Sequence, residues 1–141
     1  MPGGEEVLRV VRGWIEKAES DLTNAVHTLG MGEWCPVDTV CFHAQQCAEK
    51  YLKALLVSTG IDFPKMHDIG ELIALVPRKI NVGLSAEEQR RLTTYATVTR
   101  YPGDYEPISL ADARRAIALA RRVRREVRRL LPSSALRRRR S

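Results

Sequence analysis

The chain has 141 residues, of which 44% are hydrophobic, and its formal net charge is +6. This length suits one domain with one core, and no apolar run reaches the roughly 18 residues that a membrane-spanning helix needs. The N-terminal sequence lacks the basic, apolar and small-residue pattern of a targeting peptide. Three cysteines without a CxxC pair are typical of reduced thiols. We therefore expect a cytoplasmic protein that does not bind a membrane.

Two long helices are predicted in the first part of the chain. Apolar residues recur at intervals of three and four over residues 7–29, which is the period of an amphipathic helix, and Gly30 and Gly32 end this pattern. Pro36 suits the first turn of a second helix, whose apolar stripe covers residues 37–55. Because the link between the two helices is short, we expect them to pack antiparallel.

Three further helices are predicted, each opened by a residue that can cap it. Asp68 precedes the third helix, Ser85 begins a capping box for the fourth, and Ser109 does the same for the fifth. The fourth helix runs into the stretch YATVTRYPGDYEP, residues 95–107, and the fifth ends before Pro132.

Alternating strand patterns are absent from the sequence, so the predicted fold is all-α. We expect an up-and-down bundle of four to five antiparallel helices over residues 1–132. Residues 133–141 carry too few apolar side chains to fold and are predicted to form a disordered basic tail.

Charge is distributed unevenly along the chain. Residues 1–108 carry 11 basic and 15 acidic side chains, a net charge of −4, whereas residues 109–141 carry 12 basic and 2 acidic side chains, a net charge of +10. Such a segment attracts phosphate without regard to sequence. The alternative, which the pattern favours, is an arginine-rich helix face that only meets solvent.

Common enzyme motifs are missing from the sequence. It contains no phosphate-binding GxxxxGK[ST] loop, GxGxxG, HExxH or GxSxG. Cys41, His43 and Cys47 share one predicted helix, but Cys41 lies well round the helix from His43, and a closed zinc site needs four ligands. We therefore expect buried cysteines, no metal and no cofactor.

The second helix contains the stretch FHAQQCAEKYLKALL, residues 42–56. Its polar residues are expected on the face away from the core, with Glu49 and Lys53 at the i, i+4 spacing of a favourable ion pair. The residues concerned are Gln45, Gln46, Glu49, Lys50 and Lys53.

This stretch resembles the signature helix of HEPN domains, the "higher eukaryotes and prokaryotes nucleotide-binding" family. KMHDIGELI (65–73) and YATVTRYPGDY (95–105) agree with the family in order and spacing. The resemblance implies a helical bundle that commonly forms a homodimer and that works on nucleotides or RNA. It also implies a possible partner, because many members pair with minimal nucleotidyltransferases as toxin and antitoxin.

Other family members are metal-independent ribonucleases, marked by an arginine followed after four to six residues by a histidine. The histidines of this sequence are His27, His43 and His67, and none follows an arginine at that distance. After Arg100, four intervening residues lead to Tyr105 instead, and a phenol is a poor general base at neutral pH. The sequence therefore favours binding over catalysis.

A candidate ligand site follows from the end of the fourth helix and the start of the third. An arginine offers a planar fork for phosphate and tyrosines offer stacking faces for a base; each residue also has an ordinary role in ending a helix or closing a turn. The predicted ligand-binding residues are Arg100, Tyr101, Asp104, Tyr105, His67 and Lys65.

Three functions remain open at this stage. The first is a non-catalytic protein that binds nucleotide or RNA and acts with a small nucleotidyltransferase. The second is a ribonuclease with a displaced catalytic set, such as Arg100 with His67 from the other subunit of a dimer. The third is a helical dimerisation module that binds only protein.

Overall fold

The computed structural model describes residues 4–96 and 107–137, and within these ranges all regular structure is helical. This confirms the all-α prediction. None of the helices in the described ranges is long and apolar enough to cross a membrane. In chain order the elements are α1 (Gly4–Leu29), α2 (Val37–Ser58), α3 (Ile69–Leu75), α4 (Ala86–Thr93), a 3-10 turn (Thr94–Ala96), α5 (Leu110–Leu130) and α6 (Ser133–Leu136).

Helix α2 is the central element of the core. Thirteen of its 22 residues are buried, including positions all round its axis, because α1 and α5 pack along it while α3 and the 3-10 turn cover it from another side. Alanines are prominent in the buried set of α2 and α5, among them Ala44, Ala48, Ala116 and Ala120. Small side chains let helices approach closely, which suits a helix surrounded by several others.

Ion pairs and ring contacts show the directions of the long helices. Asp21 contacts Lys50, whereas Trp14, earlier in α1, lies against Lys53, later in α2. The two helices therefore run antiparallel, as predicted from the short link between them. Arg91 and Asp112 form a corresponding contact between α4 and the start of α5.

The helix caps agree with the sequence. The Asp68 carboxylate accepts the Glu71 backbone N–H at 2.9 Å, and Ser85 and Ser109 each form a complete capping box. Each cap satisfies backbone donors that the first helical turn leaves without partners. All three helix starts were therefore correctly predicted.

Helix α4 ends earlier than the sequence predicts. Its α-helical part stops at Thr93, and a tighter 3-10 turn follows to Ala96. The hydroxyls of Thr93 and Thr94 donate to the backbone carbonyls of Gln89 and Arg91, at 2.9 and 2.6 Å. Such local bonds compete with the helical pattern, and 3-10 geometry is frequent at helix ends.

The chain beyond Pro132 also differs from the prediction of a disordered tail starting at residue 133. Residues Ser133–Leu136 form α6, and Ala135 is buried against the core. The Arg12 guanidinium of α1 donates two hydrogen bonds, at 3.0 and 2.6 Å, to the Ser134 carbonyl oxygen. A distant arginine thus anchors a segment whose own sequence has little apolar content.

Candidate functional site

A buried carboxylate in the middle of α2 organises the first candidate site. The Glu49 side chain is 3% exposed. It accepts hydrogen bonds from Lys53 Nζ at 3.0 Å, from Gln45 Nε2 at 3.2 Å and from His67 Nδ1 at 3.1 Å. Lys53 is also buried, and its ammonium lies 5.4 Å from the centre of the Trp14 ring. A buried ion is tolerated when it has such partners.

This cluster corrects the prediction that the polar residues of α2 face away from the core. Gln45, Glu49 and Lys53 are all buried, whereas Gln46 and Lys50 are partly exposed. The reason is that α2 is covered on several sides, so some polar positions must enter the interior. Every buried polar side-chain atom in the described ranges has a hydrogen-bond partner, which keeps the free-energy cost of this burial low.

His67 lies where this buried cluster reaches the surface. Its side chain is 60% exposed, although Nδ1 bonds to both Glu49 oxygens, at 3.1 and 3.2 Å. A carboxylate only accepts hydrogen bonds, so Nδ1 carries the proton, and Nε2 is the ring nitrogen left for other chemistry. Gln45 Nε2 also donates to the His67 carbonyl oxygen at 3.2 Å. Ring and backbone of His67 are thus both held by α2.

The other predicted site residues are partly placed by the structure. Lys65 is exposed two residues before His67. Arg100, Tyr101, Asp104 and Tyr105 lie outside the described residues. The end of α4, from which the chain continues toward them, contacts the start of α3, because the Ile69 N–H donates to Thr93 Oγ1 at 3.0 Å.

A second histidine is held in the same manner on another face of α2. Asp21 of α1 is buried and bonds to His43 Nδ1 at 2.8 Å and to Lys50 Nζ at 2.5 Å. The His43 side chain is mostly buried, at 23% exposed, in contrast to that of His67. The Asp21 cluster ties α1 to α2, and sequence spacing within α2 gave no sign of it.

The cysteines are buried thiols. Cys35, Cys41 and Cys47 are at most 7% exposed. Burial raises the pKa of the Cys47 thiol far above its ordinary value, with the nearby Glu19 and Asp21 carboxylates acting in the same direction. Among residues 4–96 and 107–137, no group of three histidine, cysteine or acidic side chains is arranged to hold a metal ion.

A third polar cluster joins α1 to α5. Arg124 makes two parallel hydrogen bonds to the Glu19 carboxylate, at 2.8 and 2.9 Å. Partial burial opposes the charge of Glu19, but hydrogen bonds from Arg124 and Tyr51 outweigh it and lower the pKa of that carboxyl. Desolvation by burial raises the pKa of the Tyr51 phenol, whose oxygen accepts from Arg128 at 3.3 Å.

Comparison with known proteins identifies the family. The family model described as HEPN domain matches residues 11–130. The chain belongs to the HEPN domain family.

Two solved structures resemble this HEPN domain. The crystal structure of TT1696 from Thermus thermophilus has 29% sequence identity and a TM-score of 0.70. The crystal structure of ST0689, an archaeal HEPN homologue, has 27% identity and a TM-score of 0.62. Each match covers 86% of this chain and 98% of the other. No curated protein matches the chain.

The sequence pointed to the family of this HEPN domain. It did not predict that Glu49 and Gln45 form hydrogen bonds with His67. The family resemblance drew attention to the stretch that contains both residues, and the i, i+4 spacing correctly paired Glu49 with Lys53. The bond to His67 joins residues 18 positions apart in different elements. Periodicity within one helix carries no signal for such a contact.

Proposed function

We propose that this HEPN domain binds the phosphate group of a nucleotide or of RNA at the exposed edge of His67, without cleaving it. The observation that carries the proposal is the imidazole itself, whose side chain is 60% exposed while its Nδ1 is held by buried Glu49. A phosphate oxygen only accepts hydrogen bonds, so Nε2 must also carry a hydrogen when it binds the ligand, and a ring already held at Nδ1 loses less conformational entropy on binding than a mobile one. Lys65 adds a second cation on the same segment.

Arg100, Tyr101, Asp104 and Tyr105 are proposed to complete this site. The support is the contact between the start of α3 and the end of α4, since the chain leaves α4 toward these residues only a few positions later. In the proposal Arg100 binds a phosphate through its planar fork, and Tyr101 or Tyr105 stacks on a base.

Binding is tested by calorimetry with ATP and with a short single-stranded RNA. His67→Ala and Arg100→Ala are each expected to weaken binding by roughly 1.5–3 kcal/mol, the scale of a hydrogen bond to a charged group. Arg78→Ala is the matched control, because Arg78 is an exposed arginine in the loop after α3, and it should bind like the wild type. Absence of heat with either ligand up to millimolar concentration would leave only a protein-binding helical module.

A ribonuclease is the second candidate function, and the Glu49–His67 pair is the observation in its favour. A carboxylate that orients an imidazole at Nδ1 leaves Nε2 suited to accept a proton from a ribose 2′-hydroxyl. Labelled RNA incubated with the wild type and with His67→Ala distinguishes the two functions. Cleavage by the wild type that is lost in the variant would replace the binding proposal with this one.

Association with other chains is a further part of the proposal. We expect a homodimer and a small nucleotidyltransferase partner, in a pair of the toxin–antitoxin kind; the support is membership of the HEPN domain family. Light scattering from micromolar to near-millimolar protein tests the dimer, and a monomer mass throughout would contradict it. Co-purification with a nucleotidyltransferase that is encoded by a neighbouring gene tests whether this partner binds.

A further inference from the structure

An open groove of about 1190 Å³ lies between α1 and the C-terminal part of the chain. Helix α1 lines it from Arg12 to Thr28, while Arg124 and Arg128 of α5 and the segment Ala135–Arg137 line the other side. The lining part of α1 therefore extends for about 24 Å at the helical rise per residue. The groove is long and open, unlike a compact pocket for one small molecule.

Part of the groove lining consists of polar groups held by hydrogen bonds. Arg124 is held by its two bonds to Glu19. Arg128 lies beside it, bonded to the phenol of buried Tyr51 and close enough to Glu19 to attract its charge. Glu19 is thus shared between two guanidinium groups, which leaves this part of the groove positive.

The charges along the groove add to this excess. Four arginines line it, against the two carboxylates Glu16 and Glu19. Among the described residues, no carboxylate oxygen lies within 4.0 Å of Arg12, Arg128 or Arg137. The groove thus combines Arg124 and Arg128, which share Glu19, with Arg12 and Arg137, which have no carboxylate within 4.0 Å in the described ranges.

We infer that this groove binds the phosphodiester backbone of a single-stranded RNA. Guanidinium groups spaced along an open channel match a chain of phosphates. Of the residues that line the groove, His27 alone has a ring, so bases would not be held by stacking there. This inference rests on the proposed function in taking RNA as the ligand, but it places the RNA backbone at a different surface.

The groove and the His67 site lie on different sides of α2. Glu49, which holds His67, and Tyr51, which bonds to Arg128 of the groove lining, are two residues apart in one helix. Two residues correspond to a rotation of about 200°. One strand bound at both sites would have to pass around the bundle, so the two sites can be tested separately.

The experiment uses fluorescence anisotropy with a labelled ten-residue oligouridine and the full-length protein. The test variants are Arg128→Gln and Arg137→Gln, and Arg121→Gln is the matched control, because Arg121 lies exposed on α5 outside the groove lining. Each test variant should lower affinity about fivefold at 0.1 M salt and reduce the salt slope by about 0.7, the value for one contact to a single strand. The control should change neither quantity by as much.

Further arms separate this inference from its alternatives. Arg137 is exposed near the end of the chain, so Arg137→Gln keeps the test valid if Arg128→Gln loses its fold by circular dichroism. Equal losses in test and control variants would mean that only net charge is sensed, and would overturn the groove. Competition by inorganic triphosphate as strong as that by unlabelled oligouridine, at equal phosphate concentration, would also overturn the inference that an extended chain is the ligand. The inference would likewise be overturned if an acidic peptide displaced the RNA and triphosphate did not.

His67→Ala makes the two proposals independent of one another. If oligouridine binding survives in His67→Ala and falls in Arg128→Gln, the groove inference stands even when the His67 site fails. If the reverse is found, the groove is overturned and the His67 site stands. No binding of oligouridine by the wild type would overturn the groove, whereas ATP binding at His67 could still be measured by calorimetry.

Discussion

Replacing Glu49 by glutamine should destabilise the protein far more than the same change at a surface glutamate. The substitution keeps the shape of the side chain but removes the negative charge beside Lys53, which is only 6% exposed in its side chain. Removing one member of a buried ion pair costs about 3–5 kcal/mol, because the other charge stays buried without compensation. The faces of Trp14 and Phe63, 5.4 and 5.9 Å from the ammonium, partly compensate it, so we expect about 3 kcal/mol.

Urea unfolding followed by circular dichroism at one protein concentration measures this loss. In a thermal melt the same loss appears as a lower Tm. For a chain of 141 residues, an unfolding entropy near 2.1 cal/mol/K per residue converts about 3 kcal/mol into a fall in Tm of roughly 10 °C. The matched control is Glu6→Gln, since Glu6 pairs with Arg9 but both side chains are more than half exposed. That change should cost less than about 1 kcal/mol.

A double variant identifies the cause of the destabilisation. Glu49→Gln with Lys53→Met removes both charges, and it should recover more than half of the stability lost by Glu49→Gln alone. The reasoning fails if Glu49→Gln costs no more than Glu6→Gln, because Lys53 would then be solvated. It also fails if the double variant is less stable than the single one, because Lys53 would then matter through its packing and not through an uncompensated charge.

Three further predictions concern other parts of the molecule. Glu19 has a lowered pKa in the folded state, so the stability it contributes is present above its unfolded pKa of about 4.5 and is lost as the pH falls below that value. Glu19→Gln should therefore reduce the fall in the free energy of unfolding toward acid pH, measured by urea unfolding at several pH values. An unchanged pH dependence would refute this prediction. The thiols should resist a thiol reagent in the native protein, because they are buried and the Cys47 pKa is raised; labelling as fast as in urea would contradict this. Removing residues 138–141 should leave Tm within about 2 °C while it weakens the salt dependence of RNA binding. Removing residues 133–141 should also lower Tm, since it removes buried Ala135. Equal melting temperatures of the two truncated proteins would show that α6 contributes nothing to stability.

The sequence predicted those parts of the fold that depend on neighbouring residues. A cap such as Ser85 needs only Glu88 three positions later, and both halves of that box form. The helical period likewise located α1 and α2, because one apolar stripe is enough to mark a helix that faces a core. These signals lie within one element, so reading them requires no knowledge of the three-dimensional arrangement.

The contacts that form the candidate sites depend on distant residues and were not predicted. Glu49 meets His67 because the loop after α2 returns over it, and Arg12 anchors α6 although 122 positions separate it from Ser134. A polar residue on a central helix looks the same in sequence whether it meets solvent or a buried partner. For this reason the polar face of α2 was expected outside the core, and the start of the tail was expected to lack structure.

The polar contacts between helices explain how an alanine-rich bundle can hold one axial alignment. Small, similar side chains on α2 and α5, such as Ala48 and Ala120, pack nearly as well if one helix slides along the other by a turn of about 5.4 Å. A slide of that size would break the Asp21–Lys50 pair or the Glu19–Arg124 pair and leave partly buried charges without partners. The same pairs that align the helices therefore fix the positions of Arg128, which lines the groove, and of Tyr51, which bonds to it. Glu49 does so for His67 on the other side of α2. Alignment of the core and geometry of both candidate sites thus depend on one set of side chains.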